Sequence, residues 1–357
     1  AGAASRAPVP SAIRKTYITI SYYKFYSPHP PITIERAEKK GPSVNTIRTL
    51  FEHIPVPVAG VALGLAALGN VLAPASILVH DICGALSAML VVLLLIKIAF
   101  APHRFRSDME NPVVASTCAT LFMACMQLAA YISAVSYTAG FACAAIICHF
   151  ALMAWFTKKF LLAFDLKNVH ATYFIAYVGI IVASLTSPTF GMQALGNVLF
   201  WFGFVCYAAL FVLVTVRYVR HEVAAPAKPT FCVYAAPMSL SLAGYLAVTP
   251  EPNLALVAVM AIAAQMLFVF VLTQVPKFIK GGFYPSFAAM TFPFVITATA
   301  LDRVVALLAG KGVILPAVFD WIVAAEVIFA ACMVIFVFAH YARFMGKNFL
   351  SAFRSVR

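Results

Sequence analysis

Apolar runs of about twenty residues recur along the chain, separated by short polar stretches where proline, glycine and charge collect. A bilayer core about 30 Å thick takes roughly 20 residues of helix, because every backbone N–H and C=O must find its partner within the segment. The pattern predicts ten spanning helices, near residues 54–73, 77–100, 111–133, 138–161, 169–187, 192–217, 230–248, 253–275, 284–309 and 316–341. Prolines such as Pro74, Pro102, Pro112, Pro188, Pro250 and Pro316 punctuate their ends. Grouping each odd span with the even span after it gives five hairpins, beginning near residues 54, 111, 169, 230 and 285. So regular an interval predicts five like units arranged around an axis.

The two members of each hairpin differ in chemistry. Helix breakers sit in the odd spans: Pro55, Pro57, Gly60, Gly64 and Gly69 in the first, Gly179 in the fifth, Pro237 and Gly244 in the seventh, Pro293 in the ninth. Even spans are smoother, as in the run Val91-Val92-Leu93-Leu94-Leu95-Ile96. A break inside a spanning helix frees carbonyls, which is tolerated where neighbouring helices or a water-filled cavity satisfy them. The odd spans are therefore expected to form an inner ring lining a central pore, with the even spans facing lipid. Close packing through small residues is the competing explanation for the same glycines.

Composition places the chain firmly in the membrane class: 63% of its 357 residues are hydrophobic and 10% charged, with a mean hydropathy of +0.95. Charge then orients it. All but two of the 25 Lys and Arg residues fall in the N-terminal segment, in connections after even spans or at the C-terminus; the exceptions are Arg303 and Lys311. Basic residues collect on the cytoplasmic side, so both termini are expected there, in a plasma or inner membrane. The chain divides into a polar tail over 1–50, a transmembrane domain over 51–345 and a basic tail over 346–357. Topology already explains the net charge of +13, so no nucleic-acid partner is inferred. The same charge favours anions at the inner mouth and contact with anionic lipid head groups.

Candidate chemistry is sparse. The eight cysteines show no metal-ligand spacing, and no HExxH or paired-histidine pattern is present, so neither an enzyme, a metal site nor a cofactor is expected. Ionisable residues within spans are functional candidates by default. They are His80 and Asp81 in the second span, His149 in the fourth, Asp302 and Arg303 in the ninth, and Asp320 and Glu326 in the tenth. Arg303, near the outer end of an odd span, either draws anions to the outer mouth or pairs with a carboxylate. No basic side chain occupies the middle of an odd span. Weak polar contacts to a passing anion are left to hydroxyls: Thr117, Ser184, Thr186, Ser239, Ser241 and Thr297.

Three stretches carry a family resemblance. Gly60-Val61-Ala62-Leu63-Gly64-Leu65-Ala66-Ala67-Leu68 in the first span, Val178-Gly179-Ile180-Ile181-Val182-Ala183-Ser184-Leu185-Thr186 in the fifth and Phe287-Ala288-Ala289-Met290-Thr291-Phe292-Pro293 in the ninth resemble the tellurite-resistance and dicarboxylate transporter family. That family includes bacterial TehA and the plant slow-type guard-cell anion channel. Glu110-Asn111-Pro112-Val113 and Ala236-Pro237 fit as well, while Ala59, Ala62 and Ala176 depart from the family pattern. The resemblance implies a pseudo-fivefold bundle in which the odd helices line the pore, a homotrimer with one pore per subunit, and closure by a phenylalanine that corresponds to Phe292. Bends at Pro57, Gly60, Gly64, Gly179, Pro237 and Pro293 would shape that pore. Two functions follow as expectations: a gated passive channel for small chloride- or nitrate-like anions, or a secondary, proton-coupled transporter of dicarboxylate, sulfite or tellurite-type anions.

Overall fold

The computed structural model describes residues 51–135 and 137–356, with side chains to residue 351; the 1–50 tail lies outside them. The described residues form helices and no strands. In chain order the α-helices are α1 (Val58–Leu72), α2 (Ile77–Phe100), α3 (Pro102–Asp108), α4 (Pro112–Thr117), α5 (Ala119–Tyr131), α6 (Thr138–Phe156) and α7 (Tyr173–Val178). There follow α8 (Ile181–Thr186), α9 (Gln193–Arg220), α10 (Ala236–Val248), α11 (Leu254–Leu272), α12 (Val275–Lys280), α13 (Phe292–Gly310) and α14 (Val318–Val356). The last of these runs on through the segment read as a basic tail.

Among the described residues, eight helical stretches are long and apolar enough to cross a membrane. The first and fifth of the ten expected spans are shorter. Their brevity has a local cause. Pro55 and Pro57 hold the chain out of regular helix before α1, and the fifth segment is divided between α7, α8 and a 3₁₀ turn over Ser187–Phe190. At the division the Gly179 N–H reaches back five residues to the Phe174 carbonyl, the wider turn of a π-bulge.

Burial separates two kinds of helix. The long helices over Ile77–Phe100, Thr138–Leu161, Gln193–Arg220, Leu254–Lys280 and Val318–Ser351 have between 28% and 39% of their apolar window buried, whereas Pro112–Tyr131, Ala225–Val248 and Pro285–Gly310 reach 83%, 78% and 56%. The smooth sequences thus expose their large apolar side chains, among them Leu95, Ile147, Val205, Val259 and Ile335, as a lipid-facing surface requires. The broken sequences sit inside. In α1, all twelve residues from Val58 to Gly69 are buried.

Caps fix where the helices begin. Asn111 accepts from the N–H groups of Val113 and Val114 at 2.9 and 3.3 Å, with Pro112 in the first turn where its missing N–H costs nothing. Asn253 does the same for α11 through Leu256 N–H at 3.1 Å. Basic residues occupy the last turns of α2, α9 and α12 (Lys97; Arg217 and Arg220; Lys277 and Lys280), where they meet the negative end of the helix dipole.

Each buried segment packs against two others. α1 contacts α5, the third segment contacts the fifth through α4 with α7 and α5 with α8, α8 contacts α10, α10 contacts α13, and α13 returns to α1. Polar ties reinforce most of these seams. Ser116 donates to the Thr172 hydroxyl at 2.7 Å, Thr297 and Ser239 share a 3.0 Å bond, Thr291 donates to the Gly60 carbonyl at 3.0 Å, and Asn70 donates to Gln127 at 2.8 Å.

Candidate functional site

The seam between α1 and the start of α13 decides the geometry of the site. A 3₁₀ turn over Pro285–Met290 ends at Thr291, whose backbone is not helical, and α13 then starts with Phe292-Pro293. A Cβ added at Gly64 would lie 2.6 Å from the Thr291 Cβ and 3.2 Å from the Phe292 nitrogen; one added at Gly60 would lie 3.2 Å from the Ala288 Cβ. Two glycines four residues apart therefore present a bare face of α1 to the backbone that carries Phe292. The Thr291 hydroxyl closes the contact by donating to the Gly60 carbonyl.

Phe292, 6% exposed, borders a cavity between the inner segments. All five inner segments contribute to its wall: Pro57, Gly60 and Leu63 from the first, Val113, Thr117 and Met123 from the third, Phe174 and Gly179 from the fifth, Val233 and Pro237 from the seventh, Phe292 and Pro293 from the ninth. None of the lining residues is ionisable. The breakers lie here because each break opens backbone volume that a straight helix would fill. At Gly179 a Cβ would fall 2.6 Å from the Met123 sulfur and closer still to the Ile175 carbonyl oxygen, so this bend is made by glycine alone.

Four of the five wall hydroxyls commit their protons to carbonyls, and the fifth, Thr172, accepts from Ser116. Thr117 donates to the Val113 carbonyl at 2.6 Å, Thr120 to Thr117 at 2.7 Å, Thr230 to Ala227 at 2.7 Å and Ser286 to Pro226 at 2.5 Å. Three of these bonds run back three or four residues along their own segment, and Ser286 reaches across to the seventh. Of the residues singled out in the sequence, Pro57, Gly60, Thr117, Gly179, Pro237, Phe292 and Pro293 border the cavity. Gly64, Ser184, Thr186, Ser239, Ser241, Thr297 and Arg303 do not. Ser239 and Thr297 bind each other across α10 and α13, Ser241 and Thr186 bond back within their helices to Pro237 and Val182, and Ser184 is fully buried with an unpartnered hydroxyl. Arg303 donates to the Ala243 carbonyl of α10 at 3.3 Å. Thr120, Thr172, Thr230 and Ser286 join the wall unannounced; Thr120 repeats Thr117 one turn later, a signal the sequence did hold.

The remaining intramembrane candidates lie away from the cavity. His149 of α6 is wholly buried and its Nε2 meets the Ala176 carbonyl at 3.0 Å, bracing the broken fifth segment from outside. His80 stacks on Tyr131 with ring centroids 4.0 Å apart, and Tyr131 donates to the Ala66 carbonyl at 2.6 Å. Asp81 points outward, 69% exposed along its side chain. No group of metal-ligating side chains occurs among the described residues.

Compared with known families, residues 53–342 match the voltage-dependent anion channel family, SLAC1. The chain belongs to that family. No match was found among curated proteins. Membership in the voltage-dependent anion channel family bears out the resemblance read from the first, fifth and ninth spans, and with the eight long apolar helices it makes this an integral, multi-pass membrane protein of an anion channel or transporter family.

Proposed function

We propose that the protein is a gated, passive channel for small anions, in which the cavity is the conduction path and Phe292 its gate. A cavity bordered by all five inner segments, with no ionisable side chain and with Phe292 on its wall, carries this reading. A path without a fixed countercharge does not hold a permeating ion in a deep well, and its lining hydroxyls, four of the five already committed to carbonyls, offer only weak contacts. Weak contacts favour throughput over capture. The phenyl ring supplies closure: it excludes water and gives a dehydrated ion nothing in exchange.

Around this path we place ten spans as a pseudo-fivefold set of hairpins, the first and fifth completed by their flanking irregular turns, with both termini cytoplasmic and three subunits per assembly. The cyclic packing of the five inner segments supports the arrangement. A proton-coupled carrier would need a titratable group on the path, and His149 and Asp81, the candidates for that role, do not border it.

Planar-bilayer recording of the purified protein tests the proposal. Phe292→Ala is expected to raise macroscopic anion current severalfold over wild type at equal protein; unchanged current with intact folding removes Phe292 from the gate. Uptake into proteoliposomes that saturates with substrate and follows an imposed pH gradient, without unitary currents, would replace the channel by a carrier.

A further inference from the structure

The basic ends of three long helices provide an internal comparison. At the end of α2, Lys97 is 1% exposed, and its ammonium meets Asp108 at 2.5 Å and the Ile54 carbonyl at 2.6 Å. Beyond α6, Lys159 pairs with Glu110 at 2.5 Å. At the end of α9, Arg217 is 3% exposed, yet among the described residues no carboxylate pairs with it. Its two terminal nitrogens donate at 3.2 Å to the carbonyls of His221 and Lys167, and its Nε–H has no acceptor. The helix dipole, two long bonds and the Tyr218 ring, 5.2 Å from the guanidinium carbon, offset part of the cost of covering it. None of these supplies the full counter-charge that a covered cation lacks.

A second orphan lies in the same corner. The Arg217–Lys167 bond brings the loop before α7 to the end of α9, and the Ala171 N–H donates to the Tyr218 hydroxyl at 3.4 Å. His170, between those two contacts, is 7% exposed, and its Nδ1 has no partner. The corner adjoins the cavity: Tyr218 shares a 3.4 Å bond with Thr230, and Thr172 follows His170 by two residues, both threonines being on the cavity wall.

We propose that the Arg217 guanidinium and the His170 imidazole together bind a small monovalent inorganic anion at the basic end of the cavity. The ion supplies the counter-charge that Asp108 and Glu110 give to Lys97 and Lys159. It accepts from Nε–H of Arg217 and, in the tautomer carrying the proton there, from Nδ1–H of His170. With both side chains more than nine-tenths covered, a halide or nitrate fits and a carboxylate-bearing metabolite does not. The site extends the conduction reading, as a reservoir at the cavity's mouth, but its occupancy does not depend on conduction.

Bromide is the probe. Full-length protein in neutral detergent is melted over a bromide series at constant ionic strength, with gluconate as the replacement anion. A saturating rise in Tm is expected for wild type and for Arg220→Gln, whose arginine lies exposed one turn on. Arg217→Lys, which keeps the charge and loses Nε–H, and His170→Ala are each expected to weaken apparent bromide affinity about tenfold or more. Bromide anomalous scattering from crystals should place the ion beside both residues. No saturable rise in wild type, or the same half-saturating bromide concentration in His170→Ala and in any folded Arg217→Lys, overturns the site. Because the titration needs no current, bromide binding without conduction would sink the channel and leave this site standing, and the reverse result would do the opposite.

Discussion

Lys97 brings a charge to a place with 1% exposure and spends it on two partners, the Asp108 carboxylate and the Ile54 carbonyl just before α1. Burial pushes the Asp108 carboxyl above its ordinary range while the Lys97 ammonium pulls the other way. Removing one member should therefore cost more than the pair contributes. Lys97→Met is expected to destabilise the protein by about 3–5 kcal/mol, and Lys97→Met combined with Asp108→Leu to recover most of that loss; thermal unfolding in detergent would show it, and an additive double variant would refute it. Gly64 works by having no side chain. Gly64→Ala places a methyl 2.6 Å from the Thr291 Cβ, so it is expected to lower stability by about 1–3 kcal/mol and to move current in the same direction as Phe292→Ala. Melting and bilayer recording of one preparation check both, and a variant silent in both would detach α1 from the gate.

The inner segments were legible from their breakers. Pro57, Gly60, Gly179, Pro237 and Pro293 stood out because a spanning helix tolerates such residues only where other groups take up the freed carbonyls, and these five border the cavity. Hydroxyls were legible only as a class. Thr117 on the wall bonds back to a carbonyl one turn earlier, as Ser239 and Thr297 also do while tying two helices together, and no sequence pattern tells wall from tie. Thr172, Thr230 and Ser286 sit at segment ends, where no periodicity assigns a face. His170 and Arg217, 47 positions apart in sequence, meet through a loop that no motif describes. The segment ahead of α1 also has a chemical handle. Burial lowers the His53 pKa from its ordinary 6.5; Glu52 opposes it, and Arg104 and Lys97 add smaller pushes downward. Below that pH the unfolded chain takes up a proton that the folded chain resists, so stability should fall as pH drops from about 6.5 toward 5 and hold above it. His53→Asn should flatten that slope in melts taken across the range; a slope unaltered by the substitution assigns it to another group.

Across the whole molecule, charge and hydration divide the work on the proposed reading. The cavity has no ionisable side chain on its wall, and four of its five wall hydroxyls give their protons to carbonyls, so little is left to replace an ion's lost water. Ions that shed water most cheaply should then pass most readily. Bi-ionic reversal potentials are expected to rank thiocyanate above nitrate, nitrate above chloride and chloride above fluoride, and the inverse order would point to strong ligands in the path. The ten apolar runs and the charge asymmetry marked this as a membrane protein from sequence alone, because lipid imposes a length and a polarity that few other settings do; the size of the cavity depends on how five irregular segments meet, which only coordinates give. One of those meetings also sets an order of events. The Thr291 hydroxyl reaches the Gly60 carbonyl across 231 positions, so the first inner segment made by the ribosome waits for the last before its wall is complete. Until residue 293 has left the ribosome, the nascent bundle has an open side. A chain halted after Lys280 should therefore behave as an exposed groove cleared by quality control, visible as rapid turnover in a pulse-chase, rather than as a channel that merely leaks.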